Sequence, residues 1–407
     1  MGCASLAGSA PAGTITPVKY VVLVPDGCAD EPLAELGGRT PLEAAAMPRL
    51  AALAARSEVG RAAVIPDGLP PGSDVGNMAI LGFDPAKYHT GRAPIEAAAM
   101  GVELAPDEVA YRCNLVTVDA DGTMVDFAAG HISTEQAAVI VAALDRELGN
   151  GRDGVRFHAG VEYRHLVVVP ESWADADCVP PHDLTGRAAT LPQGPASGKL
   201  LALMEASKPV VAAAAAEVGS TATQIWLWGQ GVRPRLPDFA EEFGVHARLT
   251  SAVDLVRGLG VLSGIEVLDV AGATAGFDND YAGQRDAALE SLRDSDLVLV
   301  HVEATDEAGH QGLVDVKTDS LARWDAEIIG PMVDALDAAG ERYRILLLPD
   351  HATPCALRTH TSDAVPYLLF DSGADGPGGT YTEAGVTGSP VVAASGLMSR
   401  LVAPLPG

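Results

Sequence analysis

Three short apolar runs, Tyr20 to Val24, Leu297 to Val302 and Ile345 to Leu348, each stop at an acidic or acid-histidine cluster. Helical patterns lie between them, with apolar residues three and four apart in Pro48 to Ala55, Tyr281 to Leu292 and Thr318 to Leu336. This alternation is restrictive. A strand that is apolar along its whole length buries both faces, and parallel strands need long crossovers, usually helical, between them. The predicted fold class is α/β, a mainly parallel sheet with helices on both faces. No repeat of 20 to 50 residues is present, which sets aside solenoids and propellers.

From about residue 109 to 190 the texture changes to shorter strand candidates (Val109 to Val118, Tyr163 to Val169), one helix (Thr134 to Leu148) and turn-rich stretches such as Asp119-Ala-Asp-Gly122. This predicts a smaller α+β domain, 109–190, inserted into a larger domain made of 18–108 and 191–407. Residues 1–17 read as a loose tail.

The 54 acidic residues against 27 basic ones give a net charge of −27. That acidity, without any Lys/Arg cluster, excludes the basic footprint a nucleic-acid partner needs. A 48% hydrophobic content excludes disorder. The Ala-rich run from Pro209 to Val218 is too short to span a membrane. The start lacks the regions of a signal peptide, and Leu6 stands where a myristoylation signal needs Ser or Thr, so a cytoplasmic protein is expected. Five scattered cysteines with no CxxC fit buried or free thiols in a reducing compartment.

In open α/β sheets, ligands bind beyond the carboxyl ends of the strands. Asp26 follows the first apolar run, Asp306 and His310 follow the second, and Asp350 and His351 follow the third, with His360 shortly after. Singly, an Asp at a strand end is usually a turn or cap residue. Jointly, three strands deliver carboxylates and imidazoles to one sheet edge, which is the geometry of a metal site, and Asp306 and His310 would share one helical face. Three Asp and three His suit Mn²⁺ or Zn²⁺ better than the all-oxygen preference of Mg²⁺ or Ca²⁺. Six ligands exceed what one catalytic ion with an open position takes, and they suit two ions ~3.5–4 Å apart.

A nucleophile candidate lies in Pro70-Pro-Gly-Ser73-Asp-Val-Gly-Asn77, where Gly72 suggests a tight turn and Ser73 opens a helical stretch through Leu81. Its hydroxyl would sit at a helix N-terminus, where phosphate is favoured, and metal coordination can activate a serine without a neighbouring base. The alternative is an ordinary helix cap. No GxSxG elbow, P-loop or GxGxxG is present.

The segments Val24-Pro-Asp-Gly-Cys-Ala-Asp30, Gly72-Ser-Asp-Val-Gly-Asn77, Leu81-Gly-Phe-Asp-Pro85, Thr90-Gly-Arg-Ala-Pro-Ile-Glu96, Asp306-Glu-Ala-Gly-His310 and Pro349-Asp-His-Ala-Thr-Pro354 resemble the cofactor-independent phosphoglycerate mutases. More narrowly, the chain is similar to their archaeal-type branch within the alkaline phosphatase superfamily, from about Lys19 to about Asp371. The resemblance implies that Asp26, Ser73, Asp350 and His351 hold one divalent ion and Asp306, His310 and His360 a second. The ions would be Mn²⁺, with Zn²⁺, Co²⁺ or Mg²⁺ as alternatives, and no 2,3-bisphosphoglycerate would be used. Ser73 would accept the phosphoryl group of 3-phosphoglycerate, the glycerate would reorient, and its 2-hydroxyl would attack phosphoserine. The inserted domain would grip a small anionic phosphorylated substrate, with Arg112, Arg164 and Arg233 as candidate forks and His131 as a candidate acid or base. The chain departs from the pattern at Asn77, where many of these mutases carry His. Trp228-Gly-Gln-Gly231 and Pro181-His-Asp-Leu-Thr-Gly186 are similar to a sub-branch linked with homoserine phosphorylation. A homoserine kinase-like phosphotransferase and a phosphatase of the same superfamily are therefore the alternatives.

Overall fold

In a computed structural model of the protein, residues 18–404 are described; the expected tail at 1–17 lies outside them. The chain begins in a large sheet with β1 (Val18–Pro25) and β2 (Glu58–Ala63). It then builds a small sheet from β3 (Glu108–Val118), β4 (Met124–Asp126), β5 (Arg156–His158), β6 (Arg164–Pro170) and β7 (Gln224–Gly231). It returns to the large sheet with β8 (Ala247–Thr250), β9 (Glu266–Leu268), β10 (Leu297–Val302), β11 (Arg342–Leu347), β12 (Val365–Asp371) and β13 (Val391–Ala393).

The large sheet has the order β13-β2-β12-β11-β1-β10-β8-β9. Its pairs are parallel except where β12 meets β11 and β2. Side-chain alternation gives each face its own core. Val22, Val24, Leu297, Leu299, Leu346 and Leu348 face the helices Ser73–Ile80, Asp254–Leu262 and Leu397–Val402. Val21, Leu23, Val298, Val300, Ile345 and Leu347 face Pro48–Ala54, Tyr281–Ser291 and the run from Val314 to Ala339. The unbroken apolar runs in the sequence are strands covered on both sides, each buried Val or Leu contributing about 1.5–3 kcal/mol.

The small sheet is antiparallel throughout. Helices Thr134–Leu148 and Ser197–Val218 share one apolar cluster with it that runs from Val109 to Trp228. The expected boundary at 190 is therefore corrected to the neighbourhood of Gly231. β7 pairs with β3, Cys113 opposite Leu227, so the strand and the helix before it belong to the small unit rather than to 191–407. Two backbones cross where the chain enters and leaves this region: a Cβ on Gly91 (φ 139°) would fall 2.0 Å from Gln230 O, and one on Gly231 would fall 2.2 Å from Thr90 O. Among the described residues no helix is long and apolar enough to cross a membrane. Cys28, Cys113, Cys178 and Cys355 are unpaired.

Candidate active site

β1 lies between β10 and β11, so the loops after these three adjacent strands meet. Register makes this specific: Pro25 pairs with Val302 and Leu23 with Leu347, and Asp26, Asp350 and the helix Ala304–Gln311 follow directly. His351 Nε2 lies 3.5 Å from Asp26 Oδ1 and 3.6 Å from Asp350 Oδ2. Asp306 and His310, one turn apart on that helix, are 3.3 Å apart, and His360 Nε2 is 3.4 Å from Asp306 Oδ1. The rings of His351 and His360 stack with centroids 3.9 Å apart. Two sets, Asp26-Asp350-His351 and Asp306-His351-His360, bring candidate ligand atoms within 4.8 Å of one another.

The electrostatics of this cluster are uneven. Both carboxylate oxygens of Asp26 are buried without a hydrogen-bond partner. Burial, then the like charges of Asp350, Asp306 and Glu303, hold its carboxyl well above the usual aspartate range. Burial opposes ionisation of Asp306 as well, but hydrogen bonds to His310 and His360 prevail and hold it well below that range. His351 is pushed down to about 4, chiefly by burial, leaving a neutral imidazole suited to ligation. An orphaned buried carboxylate beside the neutral His351 imidazole is a donor set that fits a divalent cation.

Ser73 begins the helix Ser73–Ile80, with its Oγ 3.2 Å from His351 Nε2. The preceding Gly72 is extended (φ 176°), so no left-handed turn is needed there, contrary to the expected tight turn. The tight position is Gly76, where a Cβ would fall 2.0 Å from Asp350 O. That contact lets Asn77 Nδ2 donate to both Asp350 Oδ2 (2.7 Å) and Ser73 O (3.0 Å), fixing the serine to the strand-end cluster.

A cleft of about 230 Å³ adjoins the cluster, lined by residues of both sheets' units that include Arg92, Glu96, Arg112, Arg164, Asp254 and Glu303. Arg112 is buried, lies 2.9 Å from Glu96, and rests its guanidinium 4.4 Å above the Trp228 ring. His182 packs edge-on to the same ring. Burial, and secondarily the nearby Asp306 and Asp350, push the Glu303 carboxyl up to about 8.

Below the cluster lies a second buried charge group. Lys317 Nζ donates to Asp30 Oδ2 (2.9 Å), Thr353 O (2.8 Å) and Ala29 O (3.3 Å), tying the Asp26 loop to the Asp350 loop. Thr353 Oγ1 donates in turn to Asp306 Oδ1 and lies 3.1 Å from His351 Nδ1.

The structure thus brings Asp26, Ser73, Asp306, His310, Asp350, His351 and His360 together, and places Arg112 and Arg164 in the adjoining cleft. Arg233 is elsewhere. It lines a separate hollow with Pro94, Val102 and Val261, on the opposite face of the helix Ala93–Ala99 from Arg92 and Glu96. His131 is exposed on a left-handed turn (φ 53°) ahead of the helix Thr134–Leu148. Sequence reasoning missed Arg92, Glu303 and Lys317 as site-forming residues. Arg92 stood in plain view in Thr90-Gly-Arg-Ala-Pro, and Glu303 in the strand-end position that singled out Asp26.

A family model described as 2,3-bisphosphoglycerate-independent phosphoglycerate mutase matches residues 54–218. A protein of that description from Methanosarcina acetivorans is 44% identical over 371 residues, covering 89% of this chain and 93% of its own length. One from Geobacter sulfurreducens, described as a probable enzyme of the same kind, is 44% identical over 386 residues, covering 91% and 94%. A solved structure from Pyrococcus horikoshii superposes with a TM-score of 0.77 at 25% identity, covering 97% of this chain and all of that one. A cofactor-independent phosphoglycerate mutase from Thermoplasma acidophilum shares the fold, with a TM-score of 0.62 at 24% identity over 94% of this chain and 98% of its own.

Proposed function

The chain belongs to the 2,3-bisphosphoglycerate-independent phosphoglycerate mutase family, and on that footing we propose that it interconverts 3-phosphoglycerate and 2-phosphoglycerate through a phosphoserine at Ser73. The observation that carries the reading is the position of the Ser73 hydroxyl, 3.2 Å from His351 in a cluster of buried, partly orphaned carboxylates that opens on an arginine-lined cleft.

Asp26, Ser73, Asp350 and His351 are assigned to one divalent ion and Asp306, His310 and His360 to the other, with His351 within reach of both groups. When bound, Mn²⁺ or a similar ion would supply Lewis-acid stabilisation of charge on the phosphoryl oxygens and favour ionisation of the serine hydroxyl. The chain's own residues do the rest. Ser73 Oγ forms its bond to phosphorus as the bond to the 3-oxygen breaks. After the glycerate turns, its 2-oxygen bonds to phosphorus and Ser73 is released. Arg112, Arg164 and Arg92 hold the substrate carboxylate through planar forks, and Glu96 and Trp228 keep Arg112 in place. The small unit over the cleft excludes water, which would otherwise release phosphate from phosphoserine. The unpaired cysteines fit a reducing compartment such as the cytoplasm.

Mn²⁺-loaded protein given 3-phosphoglycerate without 2,3-bisphosphoglycerate should form 2-phosphoglycerate, read through coupling to enolase, and Ser73→Ala should lower the rate roughly ten-thousand-fold. Net phosphate release would mark a phosphatase instead, and ATP-dependent phosphorylation of homoserine on the same preparation a kinase. Absence of 2-phosphoglycerate with metal confirmed bound would sink the reading.

A further inference from the structure

The cleft holds three carboxylates among its arginines, and they are not equivalent. Glu96 is taken up by Arg112 at 2.9 Å and Arg92 at 3.6 Å. Asp254 opens the helix Asp254–Leu262, where a carboxylate is favoured by the helix dipole. Glu303 has no such employment. It is in no ion pair among the described residues, and its Oε2 is sealed from solvent without a hydrogen-bond partner. Burying an unsatisfied carboxylate is costly and calls for an explanation.

Its place in the fold suggests one. Glu303 directly follows Val302, whose neighbour across the sheet is Pro25, so its backbone stands beside that of Asp26. Its side chain lines the cleft that contains Arg92, Arg112 and Arg164. Glu303 therefore lies between the groups assigned to the phosphoryl transfer and the groups assigned to the carboxylate. It belongs to neither of the sets whose ligand atoms converge. The sealed Oε2 is an acceptor whether or not the other oxygen carries a proton, so what completes it is a donor. Each phosphoglycerate isomer has a phosphoryl group, a carboxylate and one free hydroxyl, and the hydroxyl is the donor left over. The isomers exchange which oxygen is free, and reorientation brings either hydroxyl to the same acceptor.

We propose that Glu303 is a specificity-determining residue whose carboxylate accepts a hydrogen bond from the hydroxyl of phosphoglycerate that does not carry the phosphoryl group. The inference rests on the mutase reading and assigns the third of the substrate's three polar groups. It makes the cleft a reader of 2- or 3-hydroxylated phosphocarboxylates rather than of any phosphocarboxylate.

The test is a comparison of two ligands by calorimetry on metal-loaded protein in a Ser73→Ala background, which removes turnover. One ligand is 3-phosphoglycerate. The other is 3-phosphonooxypropanoate, which keeps phosphate and carboxylate and lacks the hydroxyl. With Glu303 present, phosphoglycerate should bind about 10- to 100-fold tighter than the deoxy compound. Glu303→Ala should abolish that preference while leaving the deoxy affinity within about twofold. Glu303→Gln, which keeps the shape and a neutral acceptor, should retain only part of it. Metal content should be unchanged in both variants. Survival of the full preference in Glu303→Ala and Glu303→Gln, an equal loss for both ligands, or loss of metal would overturn the inference. If the unaltered enzyme forms no 2-phosphoglycerate in the enolase-coupled assay, the mutase reading has failed and this inference falls with it; if it does form product, a surviving preference removes the inference alone.

Discussion

Asp26 and Asp30 stand on one loop, both buried, and the fold treats them in opposite ways. Asp30 is complete: Oδ1 accepts from Glu31 N at 2.8 Å, and Oδ2 accepts from Lys317 Nζ at 2.9 Å and Cys355 N at 3.1 Å. Asp26 has neither oxygen hydrogen-bonded and is surrounded by further acids. His301 Nε2 approaches it to 3.1 Å without the alignment of a hydrogen bond. The chain supplies the cation for one aspartate and withholds it from the other. Buried charge that is self-sufficient marks architecture, and buried charge that is incomplete marks a place for something from outside.

Lys317→Met breaks the complete side of this contrast and should have the largest effect, about 3–5 kcal/mol of stability, because it leaves Asp30 buried and unpaired. The loss should be the same with and without metal when urea unfolding is followed under both conditions. A loss confined to the metal-loaded protein would show that Lys317 serves the site rather than the fold. Thr353→Val tests the joint between the two groups, since its backbone serves Lys317 and its hydroxyl serves Asp306. The expected result is a 10–100-fold weaker metal affinity, of the order seen when an outer-sphere partner is removed, with little change in the metal-free protein. Calorimetric metal titration reads it, and a large drop in metal-free stability would place the hydroxyl with the structural group instead.

Asp26→Asn should have the smallest effect of the three, a change in stability of the opposite sign. In the metal-free protein it relieves repulsion and should raise stability by about 1 kcal/mol near neutral pH. The linkage runs as for any carboxyl whose folded pKa is elevated. The unfolded chain releases its proton first, so the contribution of Asp26 to the stability of the metal-free protein is fullest below the ordinary aspartate range and is lost as pH rises through its elevated value. Asn should flatten that slope in melts recorded across pH, and a destabilised metal-free variant would mean that Asp26 is satisfied after all.

The strand-end aspartates and histidines were readable in the sequence because they follow closely on apolar runs, so neighbours in sequence carry the signal. Arg92, Glu303 and Lys317 were not, because what each does depends on residues far away in the chain: Trp228 beneath Arg92, Arg112 and Arg164 in the cleft that Glu303 lines, Asp30 and Thr353 for Lys317. The same reason explains the misplaced boundary at 190. A helix such as Ser197–Val218 reads alike whether it covers a parallel or an antiparallel sheet, and β7 reveals its allegiance only through pairing with β3. Arg233 was drawn in by its nearness to Trp228-Gly-Gln-Gly, yet the chain turns past Gly231 and carries it to the other side of a helix.

The order of the strands also has a consequence for how the molecule comes into being. β1 leaves the ribosome first among the strands, but its two partners are β10 and β11, Tyr20 being matched by Leu297 and Arg344. The small sheet, built from one contiguous stretch of chain, has all its strands in hand long before then. During vectorial synthesis Asp26 therefore waits beside an unpaired strand until Asp350 and His351 have been made. The candidate site cannot close before His360 has been made, and no nascent chain that ends short of it can carry the whole cluster.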